Sequence, residues 1–210
     1  SIPPEELSRH FAIVSGERDG TDDFKFVESL LERHPEVARC RLPDGRLPLR
    51  SCLEGRDRAR LFPLLVNHGA EHDILTACAA NDFAAVADLL SEDEQRVNTT
   101  DQNGCTPLHW ACISRWRVFS DDATRIINLL VDHGAHVEAH NDRGDTPLQT
   151  SLLRGDIDSA FLLWERGAEP DLMLGICAED FEFMDDLLEA NPNLIHWRAA
   201  DGLSLLHYVI

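Results

Sequence analysis

The sequence predicts an all-α fold of stacked helix-turn-helix units connected by short β-hairpin loops, some of them missing. Three elements that recur in a fixed order predict it: a helical segment, a turn that starts a helix with proline, and a glycine that ends a helix. Of the 210 residues, 43% are apolar, which is enough for a packed core. Because one pair of short helices cannot bury both of its flanks, neighbouring units must stack.

The first element is a helical segment that occurs three times. Residues 23–32 (DFKFVESLLE) return 157 positions later as residues 180–189 (DFEFMDDLLE), and a third copy begins 59 positions after the first, at Asp82-Phe83. The paired leucines in each copy place two large apolar groups on one face of a helix. The sequence therefore predicts the same helix at three places.

The second element is a turn followed by a short helix. Gly-x-Thr-Pro-Leu occupies residues 104–108 and 144–148, and degenerate versions occupy 45–49 and 202–206. A threonine N-cap accepts hydrogen bonds from free backbone N–H groups, proline at the first helical position loses no bond, and the residue three after the cap can reach back to it. Helices are therefore expected to start after Thr106 and Thr146.

The third element is a Gly-Ala pair at residues 69–70, 134–135 and 167–168. Glycine accepts the left-handed backbone conformation that ends a helix. Each unit is thus predicted to contain a turn, a helix, a second turn and a second helix.

The motif Thr106-Pro107-Leu108-His109-x-Ala111, together with the closing Gly-Ala, resembles the ankyrin-repeat family, whose unit has about 33 residues. The resemblance covers nearly the whole chain and is closest over residues 102–171. It implies a single solenoid domain and a protein-binding role. The units are expected at 7–41, 42–72, 73–101, 102–142, 143–171 and 172–200, with the opening half of another at 201–210. The chain is expected to be a fragment of a longer protein.

Three departures from the family pattern are informative. The units that begin near Ile74 and Leu172 lack the Gly-x-Thr-Pro turn, so their hairpins are expected to be absent or stunted. Thr106 to Gly134 spans 29 positions, whereas Thr146 to Gly167 spans 22, which predicts an insertion between two helices around residues 114–122. The half unit after residue 200 is expected to expose apolar residues, so the chain should be monomeric unless this end self-associates.

Composition restricts the partners. The 38 Asp and Glu residues against 19 Lys and Arg residues give a net charge of −19, which disfavours nucleic acids and anionic membranes and favours a partner with a basic surface. The alternative is that the acidity only keeps the protein soluble.

The sequence has no apolar stretch that approaches a membrane span and no signal-peptide pattern. Its six cysteines lack a C-x-x-C pair and are expected to be reduced and mostly buried, which predicts a cytoplasmic location, with the nucleus left open.

The histidines and cysteines that could form a chemical site each have a structural explanation. His133, His136 and His140 have spacings that zinc ligands can have, but His133 precedes a helix-ending glycine and the other two flank an extended turn. Phosphate-binding glycine motifs are missing from the sequence. Cys112 stands where the family has a small buried alanine, whereas Cys105 is expected at an exposed turn position, reactive but not catalytic. We therefore expect no catalytic residue, metal or cofactor, and no enzyme activity.

The resemblance also implies a concave groove, lined by loop tips and by the ends of the first helix of each unit. The tip residues at matching positions are Pro43, Asp44, Arg46, Gln102, Asn103, Cys105, Asp142, Arg143 and Asp145. The helix-end residues are Ile113, Ser114, Leu153 and Arg154. Trp110, inside the motif, is expected to lie in the core or in the groove wall.

The insertion adds Arg115, Trp116, Arg117 and Phe119, since aromatic residues and arginines are frequent in binding hot spots. The alternative is that Trp116 and Phe119 fold back over the helix pair. The predicted function is a scaffold that binds another protein, or another domain of its parent chain, through the groove and the insertion. The alternative is a targeting or regulatory module of a multidomain enzyme or effector whose catalytic part lies elsewhere.

Overall fold

The computed structural model describes residues 21–41, 47–53, 58–113, 122–170, 174–175 and 180–192. These residues contain ten α-helices and no β-strand. None of the described helices is long and apolar enough to cross a membrane. The chain divides into two compact units, Ser1–Thr76 and Ala77–Ile210.

The described residues of the first unit contain three complete helices: α1 (Thr21–Arg33), α2 (Pro48–Leu53) and α3 (Arg58–Asn67). A 3₁₀ helix, Pro35–Arg39, follows α1, and α4 (Ile74–Ala80) begins in this unit. Helices α2 and α3 pack together, and α1 contacts α3. The fully buried side chains of this core include Leu31, Leu49, Leu61 and Leu65.

The described helices of the second unit form two rows. The inner row includes α6 (Pro107–Ile113) and α8 (Pro147–Leu153), which pack against each other. The outer row includes α5 (Phe83–Glu92), α7 (Asp122–Asp132), α9 (Ile157–Glu165) and α10 (Phe181–Ala190). Helix α7 contacts both α5 and α9, and each of α6 and α8 packs on the outer helix that follows it. Leu108, Ile126, Ile127, Leu130, Leu148 and Leu163 are fully buried in this core.

The inner helices start as the sequence predicts. Pro147 is the first residue of α8, and Thr146 and Gln149 form a capping box. The Thr146 hydroxyl oxygen accepts from the Gln149 backbone N–H at 3.3 Å, and the Gln149 side-chain oxygen accepts from the Thr146 backbone N–H at 3.0 Å. Two backbone donors that the helix leaves free are satisfied in this way.

The outer helices end in two different ways. In α3, α7 and α9, the predicted Gly-Ala pair forms the end: each glycine has a positive φ, and each alanine N–H donates to the carbonyl five residues earlier. The recurring segment behaves differently. Helices α1 and α5 are each followed after one residue by a 3₁₀ helix, Pro35–Arg39 and Glu94–Asn98. The equivalent segments therefore share the same local structure, as their sequences predict.

One hairpin is missing as expected. Only residues 71–73 separate Ala70 from α4, whereas residues 136–146 separate Ala135 from α8. Asp73 and Thr76 close this short connection: the Thr76 N–H donates to the Asp73 carboxylate and the Asp73 N–H donates to the Thr76 hydroxyl oxygen, both at 2.8 Å. The second expected case, residues 171–173, lies outside the described residues.

Equivalent contacts connect consecutive repeats within each unit. Arg39 Nε donates to the Gly69 carbonyl at 2.9 Å, and Asn98 Nδ2 donates to the Gly134 carbonyl at 2.9 Å. Arg39 and Asn98 both belong to the 3₁₀ helix after the recurring segment. Asn98 Oδ1 also accepts from the His136 N–H at 2.9 Å, so this one amide makes two bonds to the next repeat.

Replacing Asn98 with alanine is expected to lower the free energy of unfolding by about 1–2 kcal/mol, because both hydrogen bonds to the next repeat are lost. Urea denaturation followed by circular dichroism measures the change. Thr100→Ala, at an exposed position two residues away, is the control and should change stability by less than about 0.5 kcal/mol. An equal effect of the two substitutions would contradict the assignment.

Candidate partner-binding surface

Two loop tips of the second unit, residues 101–105 and 141–145, precede the inner helices α6 and α8. The Asp101 N–H donates to the Cys105 carbonyl at 3.0 Å, and the Asn141 N–H donates to the Asp145 carbonyl at 3.1 Å. Each tip thus reverses the chain as a hairpin does, without forming a strand. The tips are also joined to each other, since the Asp142 N–H donates to the Asn103 carbonyl at 2.9 Å.

The buried carboxylate of Asp101 organises the first tip. Its Oδ1 accepts from the N–H groups of Asn103 and Cys105, both at 2.8 Å, and its Oδ2 accepts from Trp110 Nε1 at 3.0 Å. Asn141 has the corresponding role in the second tip, where its Oδ1 accepts from the N–H groups of Arg143 and Asp145. Each tip therefore has its backbone fixed by one side chain at its base.

The side chain of His109 connects the two repeats. It is fully buried, its Nδ1 accepts from the Thr106 N–H at 3.2 Å, and its Nε2 lies 3.0 Å from the carbonyl oxygen of Asp145. With Nδ1 as an acceptor, the neutral ring carries its proton on Nε2 and donates it to Asp145. Burial lowers the pKa of His109, which favours this neutral form.

Six of the predicted binding residues form the exposed part of this surface. Gln102, Asn103, Asp142 and Arg143 are exposed at the tips, and Leu153 and Arg154 are exposed at the end of α8. Leu153 retains 41% of its accessible area. Ile113 and Asp145 are half-buried.

The other predicted binding residues, apart from Cys105, lie outside the described residues. Those in the range 42–46 are Pro43, Asp44 and Arg46. Those in the insertion are Ser114, Arg115, Trp116, Arg117 and Phe119.

The expectation that Cys105 is exposed and reactive is wrong. Its side chain is only 8% exposed, because the hydrogen bond from its N–H to Asp101 fixes the tip with the thiol turned inward. Burial, reinforced by the charge of Asp101, raises the pKa of the Cys105 thiol to about 11, so the reactive thiolate is scarce at neutral pH.

Cys112 and Trp110 are buried, as the sequence predicts.

The histidine spacings do not create a metal centre in the described part of the chain, where no group of three or more His, Cys, Asp or Glu residues could hold an ion. His68 Nδ1 lies 2.9 Å from the Leu64 carbonyl oxygen of the same helical segment. His133 Nδ1 is 4.0 Å from a carboxylate oxygen of Glu94.

A family model described as "Ankyrin repeats (3 copies)" matches residues 74–173, the part that contains both tips. Residues 74–173 of the chain are ankyrin repeats. Ankyrin repeats typically mediate contacts between proteins, which agrees in general terms with the predicted binding role.

Three relatives illustrate the similarity of this ankyrin-repeat chain to known proteins. BCL-6 corepressor-like protein 1 from Homo sapiens is 32% identical over 183 residues, which cover 79% of this chain and 9% of the relative. The putative ankyrin repeat protein YahD from Escherichia coli is 35% identical over 92 residues, covering 44% of this chain and 45% of the relative. Scaffold protein ILK from Homo sapiens is 31% identical over 74 residues, covering 35% and 15%. The ankyrin-repeat chain thus spans less than half of the length of each.

Replacing Asp101 with asparagine is expected to destabilise the protein by about 1–3 kcal/mol. Whichever way the amide is oriented, its NH₂ group faces either the tip N–H groups or the indole N–H of Trp110. In a Trp110→Phe background the indole donor is gone, and the same substitution should cost at least about 1 kcal/mol less. A double-mutant cycle by urea denaturation measures this coupling, and equal costs in the two backgrounds would contradict it.

The stability contributed by neutral His109 should depend on pH. Because the pKa is lowered in the folded state, this contribution is present above the unfolded value of about 6.5 and decreases as the pH falls toward the folded value. His109→Gln introduces the residue type of position 149 and removes this titration. The stability advantage of the original protein over the variant should shrink from pH 7.5 to pH 5 in urea denaturation. His136→Gln, at an exposed site, is the control; a His109→Gln difference independent of pH would refute the interpretation.

Proposed function

We propose that this chain is a protein-binding module without chemistry of its own, and that a partner docks on the joined tips of the second unit and on the adjacent ends of the inner helices. The observation that carries the proposal is the hydrogen bond from the Asp142 N–H to the Asn103 carbonyl. It makes two exposed loops into one continuous edge.

The rigidity of this edge supports binding. The tip backbones are fixed by Asp101, Asn141 and His109 before any partner arrives, so ordering them upon association costs little entropy. The exposed groups include polar, cationic and apolar side chains. Leu153 supplies an apolar contact, while Arg143 and Arg154 supply hydrogen-bond donors.

The proposed surface includes the insertion because of its position in the sequence. Residues 114–121 directly follow Ile113 in the sequence and precede α7, so the insertion begins at the same helix ends that line the proposed surface. Trp116 and Phe119 are the residues of this segment that we expect to contribute most to binding.

The proposed partner is a protein with a basic surface, because the net charge of −19 favours association with cations. Two relatives are named as a corepressor-like protein and a scaffold protein. We place the interaction in the cytoplasm or the nucleus, in agreement with free cysteines at residues 40, 78, 105 and 112.

A second candidate function is favoured by the length of the relatives. The region of similarity is 9% of the human corepressor-like protein and 15% of the scaffold protein, so in those proteins it is a small part of a larger chain. In this alternative the repeats direct or regulate a catalytic part elsewhere in the parent protein, through the same surface.

The variant Gln102→Ala, Asp142→Ala, Arg143→Ala is expected to lose a partner that the original chain retains, because it removes three exposed side chains and leaves the fixed tip backbone intact. Affinity capture from lysate with quantitative mass spectrometry compares them. The control variant, Asp88→Ala with Thr124→Ala, changes exposed residues of outer helices and should retain the partner. Equal retention by the tip variant and the control would reject the tip surface.

A parallel capture with Trp116→Ala, Phe119→Ala separates the two parts of the proposal. Loss of the same partner, with an unchanged circular dichroism spectrum, assigns the insertion to the binding surface. Full retention would limit the surface to the tips and the helix ends.

A further inference from the structure

Three aromatic rings lie together on the outer helices α9 and α10, away from the tips. The Trp164 ring centroid is 5.9 Å from that of Phe161 and 4.9 Å from that of Phe183, with interplanar angles of 58° and 56°. Trp164 remains 36% exposed, and only Leu153 is a comparably exposed large apolar residue among those described. These three rings are called the outer aromatic face below.

The two helices that carry the outer aromatic face have charged residues of a single sign. The sequences of α9 (IDSAFLLWE) and α10 (FEFMDDLLEA) contain no Lys, Arg or His. All of their acidic side chains are exposed: Asp158, Glu165, Glu182, Asp185, Asp186 and Glu189. The four of α10 follow the i, i+3, i+4, i+7 spacing of one helix face.

Arg166, a basic residue that directly follows α9, is engaged elsewhere. It donates to Asn128 Oδ1 at 3.0 Å and forms an ion pair with Asp132, both on α7. Among the residues that the structure describes, no Lys or Arg is stacked on Phe161, Trp164 or Phe183. Among the described residues, no salt bridge or stacked cation balances the carboxylates of α9 and α10.

Elsewhere in the same chain, outer-helix rings are covered by arginine. The guanidinium carbon of Arg125 lies 3.8 Å from the centroid of the Phe83 ring, and that of Arg60 lies 4.1 Å from the centroid of the Phe24 ring. A cation over an aromatic face contributes about 0.5–1 kcal/mol at an exposed site and more when it is desolvated. The outer aromatic face offers the same kind of contact together with flanking carboxylates.

We propose that the outer aromatic face binds a basic segment of a partner protein, with an arginine or lysine stacked on Trp164 and neighbouring basic residues paired with the carboxylates of α9 and α10. The aromatic rings supply the apolar contact area, and the carboxylates favour a positively charged ligand. Nucleic acids and anionic lipids are disfavoured because their phosphates meet carboxylates. A second copy of this chain is disfavoured as well, since a symmetric contact would bring two identical acidic faces together. The surface is separate from the tips of the proposed function.

The test uses a synthetic helical peptide that carries arginines on one face and leucines on the other, and a matched peptide with glutamates in place of the arginines. Isothermal titration calorimetry on the full chain should show binding of the arginine peptide only. Trp164→Ala should raise the Kd at least about tenfold, the loss expected of a hot-spot aromatic residue. Ser91→Ala, at an exposed position of α5, should leave the Kd unchanged.

Two pairs of charge-neutralising variants distinguish attraction of the peptide to the outer aromatic face from attraction to the overall negative charge of the chain. Neither pair alters packing. Glu165→Gln with Glu182→Gln neutralises two exposed carboxylates of the face, while Glu71→Gln with Asp88→Asn removes the same total charge elsewhere. The first pair should raise the Kd at low salt more than the second, and the difference should diminish at high salt.

Three results would overturn the proposal: no binding of the arginine peptide, equal effects of the two charge pairs, or an unchanged Kd for a folded Trp164→Ala variant. If Trp164→Ala does not fold, the charge pairs decide. A fourth would be a loss of binding with Leu153→Ala and not with Trp164→Ala, because it would assign the peptide to the tip surface.

Discussion

The structure depends on hydrogen bonds that one repeat makes to satisfy the backbone of the next. His109 shows this most clearly, because its buried ring accepts from Thr106 in its own repeat and donates to the Asp145 carbonyl, 36 residues later. The short helices α6 and α8 contribute few hydrogen bonds of their own. The two hydrogen bonds of the neutral His109 ring thus connect the start of α6 with the second tip. The exposed tip residues have a fixed backbone because of it.

Much of the fold could be predicted because it follows from local rules. The N-cap of α8, the glycine ends of α3, α7 and α9, and the repetition of α1 in α5 depend on residues within one or two helical turns of each other. The missing hairpin before α4 was predictable for the same reason, since the residues that build the turn are lacking there. The boundaries of the repeats, and the binding roles of residues 42–46 and 114–121, remain predictions.

The features that the sequence did not predict involve the direction of side chains. Cys105 was expected at the surface from its place in a turn, but the bond between its N–H and Asp101 turns the thiol inward. Asp101 accepts a hydrogen bond from Trp110, which lies nine positions later in the sequence. No periodic sequence pattern indicates a contact at this spacing. The cluster of Trp164 with Phe183 depends on how two outer helices stack, and only the absence of basic residues from both helices marked it in the sequence.

The contacts of Arg39 with Gly69 and of Asn98 with Gly134 have a consequence for how such an array changes over generations. In both, the acceptor is a main-chain carbonyl, which every amino acid carries, and two chemically different side chains serve as the donor. A repeat that ends its helix with this glycine thus offers its neighbour the same attachment point, whatever the rest of its composition. Substitutions on one side need no matching change on the other, so whole repeats can be duplicated or exchanged while their outward faces diverge.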